Sequence, residues 1–426
     1  MRAPMPPSLY ADTAAPTPDT PALDGDRRVS VAVIGAGYTG LSTALHLAER
    51  GVDTLVLEAH EPGWGASGRN GGQVNPGLKY DPDQIEKDFG ADLGARMVAL
   101  SGGAPDFLFD LIRRHGIACD ALQSGTLRVA TDKAAISGLR TTADQWARRG
   151  VDLIYLRDQG AEAFTGTRHY GAGLLDPRGG QLNPLSYVRG LLRATQATGA
   201  PVFGGSPVTG IVREGGNWRL TTPTGVVRAE RIVLATNGYT DDAWGGLRRS
   251  VVPVYSAIVA SEPLPAALAR RITPHRPSVY EMGDITVYYR LDQQGRVLMG
   301  GRSVQRPVTR PEELQYLIDY AVELWPALRD VAWTHGWSGQ IAATTDHYPH
   351  VHEPAEGVLA CLGYNGRGVA MSTAMGLELA RRVIEGPKAP FNMPVTGIKE
   401  IPFHGLWKQA VQARVLYASL RDAFRW

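Results

Sequence analysis

Residues 28–58 read RVSVAVIGAGYTGLSTALHLAERGVDTLVLE, and their pattern decides the fold. A short apolar run over 28–34 leads into Gly35-Ala36-Gly37-Tyr38-Thr39-Gly40. Apolar residues at helical spacing follow over 41–50, then Gly51, then a second apolar run over 54–58. This order predicts strand, tight turn, helix and strand, a βαβ unit whose G-x-G-x-x-G turn suits a dinucleotide pyrophosphate. Gly35 makes the turn, Gly37 lets backbone approach the phosphates, and Gly40 permits close helix packing. The helix N-terminus offers unpaired N–H groups and the positive end of its dipole, so Tyr38 and Thr39 join the candidate binding set. Glu58, 18 residues after Gly40, is placed to accept both adenosine ribose hydroxyls, and its charge disfavours a 2'-phosphate.

Three further segments separate NAD from FAD. The first is the dense glycine loop at 63–73, GWGASGRNGGQ. An extended flavin dinucleotide needs such close backbone approach beyond the ribose strand, with Ala66, Gly71 and Gly72 lining it and Ser67, Arg69 and Asn70 supplying hydrogen bonds. The second is VLATNGY at 233–239, a strand that ends in small polar residues, among them Thr236 and Asn237. The third is GYNGRGV at 363–369, ahead of a helix predicted over 369–384. There Gly366, Arg367, Gly368 and Val369 put a helix N-terminus where a reduced flavin carries negative charge. Val208, in a strand predicted over 207–213, completes the cofactor-binding candidates.

The remaining pattern is mostly helical over 82–180 (91–115, 133–149), with a short strand at 125–130. A helix follows over 183–199, with strands at 218–222 and 231–235. Further strands at 251–260, 279–289 and 297–300 suggest a mostly antiparallel sheet. A helix over 311–325, an irregular stretch over 333–351 and a strand at 358–362 come next. Residues 1–27 read as an extended tail, and 405–426 as an amphipathic helix docked on the body. With 44 basic and 42 acidic side chains the chain shows no charge footprint for nucleic acid. Cys119 and Cys361 fall outside disulfide or metal spacing and read as reduced, buried thiols. His335, His347, His350 and His352 match no ligand motif, so no metal is expected. There is no run of about 18 apolar residues and no signal-peptide h-region, so a cytoplasmic protein without stable membrane insertion is expected.

The chain resembles the D-amino acid oxidase and glycine oxidase superfamily, and within it the gamma-glutamylputrescine oxidase branch. The residues that carry this are VIGAGYTGLSTALHLAERG (33–51), GASGRNGGQ (65–73), YYRLDQQGRVLMGGR (288–302), WSGQIAATTD (337–346), GYNGRGVAMSTAMG (363–376) and SLYADTA (8–14). The resemblance implies an α/β architecture: a Rossmann-type FAD-binding domain built from discontinuous segments, plus an α+β substrate domain whose mostly antiparallel sheet roofs the flavin. The expected division is 28–82, 181–250 and 331–390 for FAD binding and 83–180 and 251–330 for substrate. The tail (1–27) and a C-terminal helical extension (391–426) flank them. Two departures stand out. Arg367 occupies a position where members often carry histidine. Cys361 precedes the glycine turn, and no lysine occurs between Lys133 and Lys388, so noncovalent FAD is expected and no oxygen-activating lysine can be named.

The activity implied is oxidation of a small-molecule amine beside its nitrogen, by hydride transfer to flavin N5 and imine hydrolysis, with electrons passed to oxygen. Trp337, Tyr288 and Arg290 are the expected substrate residues: aromatic faces attract an amine, and a guanidinium pairs with a carboxylate. Tyr255, Tyr289 and Arg302 are further candidates of the same types. Two other readings stay open at this level. One is a D-amino acid or N-methyl amino acid dehydrogenase that uses a quinone or electron-transfer protein. The other is a non-catalytic flavoprotein sensor.

Overall fold

The computed structural model describes residues 3–283, 287–302 and 305–414. Strand Arg27–Ile34 forms as predicted, and Val31, Ala32 and Val33 are fully buried, as a central parallel strand covered on both faces requires. It pairs in parallel with Thr54–Leu57 on one side and Gly225–Leu234 on the other. Val202–Phe203 extends one edge of this sheet, and Val358–Leu362 then His350–Ala355 extend the other. Arg27–Ile34, Gly225–Leu234 and Val358–Leu362 run parallel, so their carboxyl ends open on one edge, where α/β sheets bind ligands.

Helix Tyr38–Ala48 follows the first of these strands and helix Gly368–Glu385 the last. The two pack at very short range. A Cβ on Gly376 would lie 2.4 Å from Ser42 Cβ, so glycine alone permits this approach, and Ser42 Oγ donates to Thr373 O at 2.8 Å. Helix Ala91–Arg114 joins the same core through Met97 and Leu108, although its sequence position lies within 83–180.

Among the described residues the second sheet has eight strands in the order Trp333–Ala343, Val252–Ser261, Val297–Arg302, Tyr288–Leu291, Ser278–Glu281, Thr126–Ala130, Ala172–Asp176 and Ile154–Arg157. All neighbours are antiparallel except Ser278–Glu281 with Thr126–Ala130. One face packs on helix Gln315–Leu324 through Val259, Tyr289 and Met299. The other carries Ile258, Leu298 and Trp337 toward Leu185 and the N-terminal segment.

Several expectations change. Residues 333–351 are not irregular: Trp333–Ala343 is an 11-residue strand in register with Val252–Ser261, so it belongs to the second sheet rather than to the nucleotide-binding segment 331–390. The stretch read as 279–289 is a hairpin of two strands, Ser278–Glu281 and Tyr288–Leu291. Ile154–Arg157 and Ala172–Asp176 add two strands to a region read as helical.

Residues 1–27 are not simply extended. Ser8 Oγ accepts from Ala11 N at 3.1 Å and caps a short helix, Leu9–Thr13, whose Leu9 and Tyr10 are buried. Arg193 and Gln196 donate to the carbonyls of Pro16 and Asp19 and hold the segment that follows. Of the C-terminal helix predicted over 405–426, residues 407–414 are helical with only Trp407 and Val411 half-buried; 415–426 lie outside the described residues.

The Tyr10 ring meets Trp337 edge to face, with centroids 5.1 Å apart. Removing a buried aromatic ring costs about 3 kcal/mol or more. Tyr10→Ala should therefore lower the denaturant midpoint clearly. An unchanged midpoint would show that the N-terminal segment contributes nothing to the packed body.

Candidate active site

The site starts at the turn after Arg27–Ile34. Gly35 has φ +103°, and a Cβ on Gly40 would lie 1.9 Å from Gly35 O, so the helix can begin this close to the strand only with glycine there. Helix Tyr38–Ala48 has no side-chain N-cap within its own turn. Its Tyr38 N–H instead donates to Ser67 Oγ at 3.1 Å, across 29 residues. The Tyr38 side chain is buried, and its phenol donates to Pro184 O at 3.2 Å, so only its backbone faces the turn. Glu58 is half-buried and accepts from Ala36 N (2.8 Å) and His60 N (2.9 Å), which fixes its carboxylate beside the turn. Val208 lies just before strand Gly210–Glu214, buried in the same apolar layer as Leu57 and Phe203, two residues after Ser206, whose N–H donates to Glu58 O.

The glycine loop is braced from within and from the roof. Ala66–Gly68 is a single 3-10 turn. Asn70 spends its amide on the loop: its nitrogen donates to Ser67 O (2.9 Å) and Tyr38 Oη (3.1 Å), and its oxygen accepts from Gly72 N (2.8 Å). It is therefore a brace rather than the cofactor donor expected. Arg69 is buried and donates to Gly65 O, Ser338 O and Tyr239 Oη. Its guanidinium carbon lies 4.8 Å from the Trp64 ring centroid and 5.1 Å from that of Tyr239. Burial lowers the pKa of Arg69 and raises that of the Tyr239 phenol.

The other two glycine turns meet the first. Thr39 Oγ1 and Tyr364 Oη are 2.7 Å apart, and Asn237 Oδ1 accepts from Gly363 N at 3.0 Å. Thr236 Oγ1 bonds Thr240 Oγ1 at 2.7 Å and steadies the short turn Asn237–Tyr239. Gly366 and Arg367 lead into helix Gly368–Glu385, which again lacks a side-chain cap, so its first N–H groups, from Gly368 and Val369 onward, are open to a ligand. Beside these turns a cleft of about 430 Å³ is lined by Asn237, Tyr239, Tyr255, Gln340 and, from the C-terminal segment, Trp407 and Lys408. Tyr239 and Gln340 had no role in the sequence reading, although both sit in quoted motifs. Their signal was position, one beyond a strand end and one in a strand read as irregular.

The expected substrate residues need correction. Arg290 is 4% exposed, and its guanidinium donates to Gly71 O (2.7 Å), Gln181 Oε1 (3.1 Å) and Tyr10 Oη (3.1 Å). It clamps the glycine loop to the roof and N-terminal helix and is not presented to a carboxylate. Trp337, 1% exposed, donates from its indole to Arg69 O at 2.9 Å and supports the loop from behind. Tyr288 lies on the sheet face toward the glycine loop: its ring rests against Gly71 and Gly300, and its hydroxyl bonds Ser256 Oγ at 3.1 Å. Tyr289 faces the opposite core, edge to face with Trp325. The Arg302 side chain lies outside the described residues. His335 pairs with Asp12 and His350 with Asp346, and among the described residues no group of three or more His, Cys, Asp or Glu could hold a metal.

These residues fit a flavin dinucleotide. Two helix N-termini without a local side-chain cap, a carboxylate at the second strand's end and a loop whose Gly72 would clash through any Cβ with Leu182 O (2.2 Å) form one backbone-lined groove. Glu58→Ala removes charge-assisted hydrogen bonds worth about 1.5–3 kcal/mol. FAD affinity should fall roughly tenfold or more. Unchanged retention through gel filtration would exclude Glu58 as the ribose ligand.

Comparison with known proteins agrees with this geometry. Residues 30–382 match the model of the DAO family, described as FAD dependent oxidoreductase. The chain is 30% identical to gamma-glutamylputrescine oxidoreductase of Escherichia coli over 427 residues, covering 97% of this chain and 98% of that protein. It is also 30% identical to the probable oxidoreductase OrdL of Haemophilus influenzae, covering 88% of each. The crystal structure of glycine oxidase from Geobacillus kaustophilus superposes with a TM-score of 0.74 at 21% identity, covering 88% of this chain and 99% of that one. The chain belongs to the DAO family of FAD-dependent oxidoreductases, enzymes that act on amine or amino-acid-like substrates.

Proposed function

We propose that the chain oxidises a primary or secondary amine, gamma-glutamylputrescine-like or an amino acid, and passes the electrons to oxygen as peroxide. The observation that carries this reading is the contact of the Tyr288 ring with Gly71, which brings the antiparallel sheet down onto the glycine loop. The similarity to an enzyme named for gamma-glutamylputrescine supports the amine class. In this reading the parallel sheet and its glycine turns hold the cofactor, and the antiparallel sheet bounds the substrate.

When bound, FAD would supply the two-electron acceptor at N5. Glu58, Ser67 and the first turn of helix Tyr38–Ala48 would hold its ribose and pyrophosphate. The first N–H groups of helix Gly368–Glu385 would offset negative charge at the pyrimidine end. Tyr288, Tyr10 and Trp337 keep water from the roof side. Loss of a hydride from the carbon beside the neutral nitrogen, accepted by FAD when bound, would leave an iminium ion. Water adds to that ion and releases a carbonyl product together with ammonium, or with a protonated amine where the substrate is secondary. No side-chain base is required, because the nitrogen lone pair drives hydride departure.

Two outcomes are expected. Cys361 is fully buried, its thiol is pushed up to about 12 by burial, and it lies 3.2 Å from Tyr364 Oη, so it is a poor nucleophile for a flavin ring. Acid precipitation should leave a colourless pellet; retained yellow would show a covalent flavin. Turnover with peroxide release should rise from about pH 6 to 9 as the substrate ammonium loses its proton. Burial raises the Tyr239 and Tyr255 phenols above the ordinary tyrosine value, so they stay protonated across this range. Rapid reduction without peroxide, followed by slow reoxidation in air, would replace oxygen with another acceptor.

A further inference from the structure

Residues 3–19 precede the first strand of the parallel sheet, yet they reach both ends of the glycine loop. At its start, Ala3 N–H donates to His60 Nδ1 at 3.2 Å, and Trp64 Nε1 donates to Pro4 O at 2.9 Å. His60 in turn holds Glu58, through its own N–H at 2.9 Å. At the far end Arg290 bridges Tyr10 and the loop: Nη2 donates to Tyr10 Oη at 3.1 Å and Nε to Gly71 O at 2.7 Å. The fork also presses on the next residue, since a Cβ on Gly72 would lie 2.8 Å from Nη2. Its position therefore sets that of Gly71 and Gly72.

Helix Pro184–Ala197 carries the loop and the N-terminal segment on one surface. A Cβ on Gly63 would lie 2.9 Å from Val188 and 3.1 Å from Leu185, and one on Gly68 would lie 2.9 Å from Leu185. From the same helix Ser186 Oγ accepts from Ala15 N, and Arg193 and Gln196 donate to the carbonyls of Pro16 and Asp19. The segment adds little to the apolar cores, where Leu9 and Tyr10 are its buried side chains. Arg290 is 4% exposed and its three acceptors, Gly71 O, Gln181 Oε1 and Tyr10 Oη, are all neutral. Loss of the Tyr10 oxygen would leave a buried charged donor unmatched and free the fork to turn away from the loop.

We propose that residues 3–19 form a strap that positions the glycine loop for FAD, with Tyr10 a positioning residue that acts through Arg290. Strap docking and FAD binding are then linked, and each strengthens the other by the same factor. The strap governs how the cofactor is held, and it does so whichever amine is oxidised.

Hydrogen exchange of the parent protein tests the linkage without any substitution. The amides of Ala11 and Ala14 bond Ser8 O and Tyr10 O inside the strap. They should exchange roughly fivefold or more slowly at saturating FAD than at limiting FAD. The reading is taken before the amides of strand Val252–Ser261 exchange, so that it reports local opening and not global unfolding. Tyr10→Phe then keeps the ring beside Trp337 and removes the oxygen that Arg290 uses. Its FAD dissociation constant, measured by ultrafiltration of the holoenzyme across a dilution series, should rise roughly fivefold or more. Equal exchange at both FAD levels would overturn the proposal. So would a Tyr10→Phe protein with a lowered denaturant midpoint and the parent's dissociation constant, the mark of a side chain that serves the fold alone.

Discussion

The structure depends on how closely backbone approaches backbone at the carboxyl edge of the parallel sheet. Gly40 lets helix Tyr38–Ala48 start against the Gly35 carbonyl, and Gly376 lets helix Gly368–Glu385 lie directly on Ser42. Because the preceding strands run parallel, both helices begin at the same edge. Neither is capped by its own N-cap side chain, and apart from the Tyr38 N–H held by Ser67 Oγ their first N–H groups face one groove. A larger side chain at either glycine would separate the helices, and the two positive helix ends would no longer serve one dinucleotide.

The rest of the molecule holds that edge in place. Thr39 to Tyr364 and Asn237 to Gly363 tie the three turns together. Arg290 and Trp337 anchor the glycine loop to the roof, and Tyr10 packs behind both. These are buried polar contacts in which a missing partner costs more than the bond gains, so each fixes position more than it adds stability. The N-terminal helix thereby reaches the cofactor loop through a single arginine, 280 residues away in sequence.

Much of this was legible in the sequence because glycine turns report on backbone directly. Gly35 to Gly40, the 65–72 loop and the 363–369 turn each demand a close approach that other residues would block. What was not legible has physical reasons. Trp333–Ala343 mixes glycine, histidine and glutamine, and its buried residues come as a run, Gly336 to Ser338, rather than at every second position, so it shows no clean alternation. The N-terminal helix signals itself with only two buried side chains, Leu9 and Tyr10. Arg290 looks the same in sequence whether it binds a ligand or clamps a loop; only the geometry of its three acceptors tells. Tyr239 and Gln340 came together through a strand end and a sheet register that no local pattern encodes.

The central claim is that this groove holds a flavin which takes hydride from the carbon beside an amine nitrogen. Its most direct test is anaerobic stopped-flow reduction of the flavin by an amine deuterated at that carbon. The account predicts clearly slower bleaching with the deuterated amine than with the protiated one at saturating concentration. Equal rates in a single bleaching phase, or no bleaching by any primary or secondary amine, would contradict it.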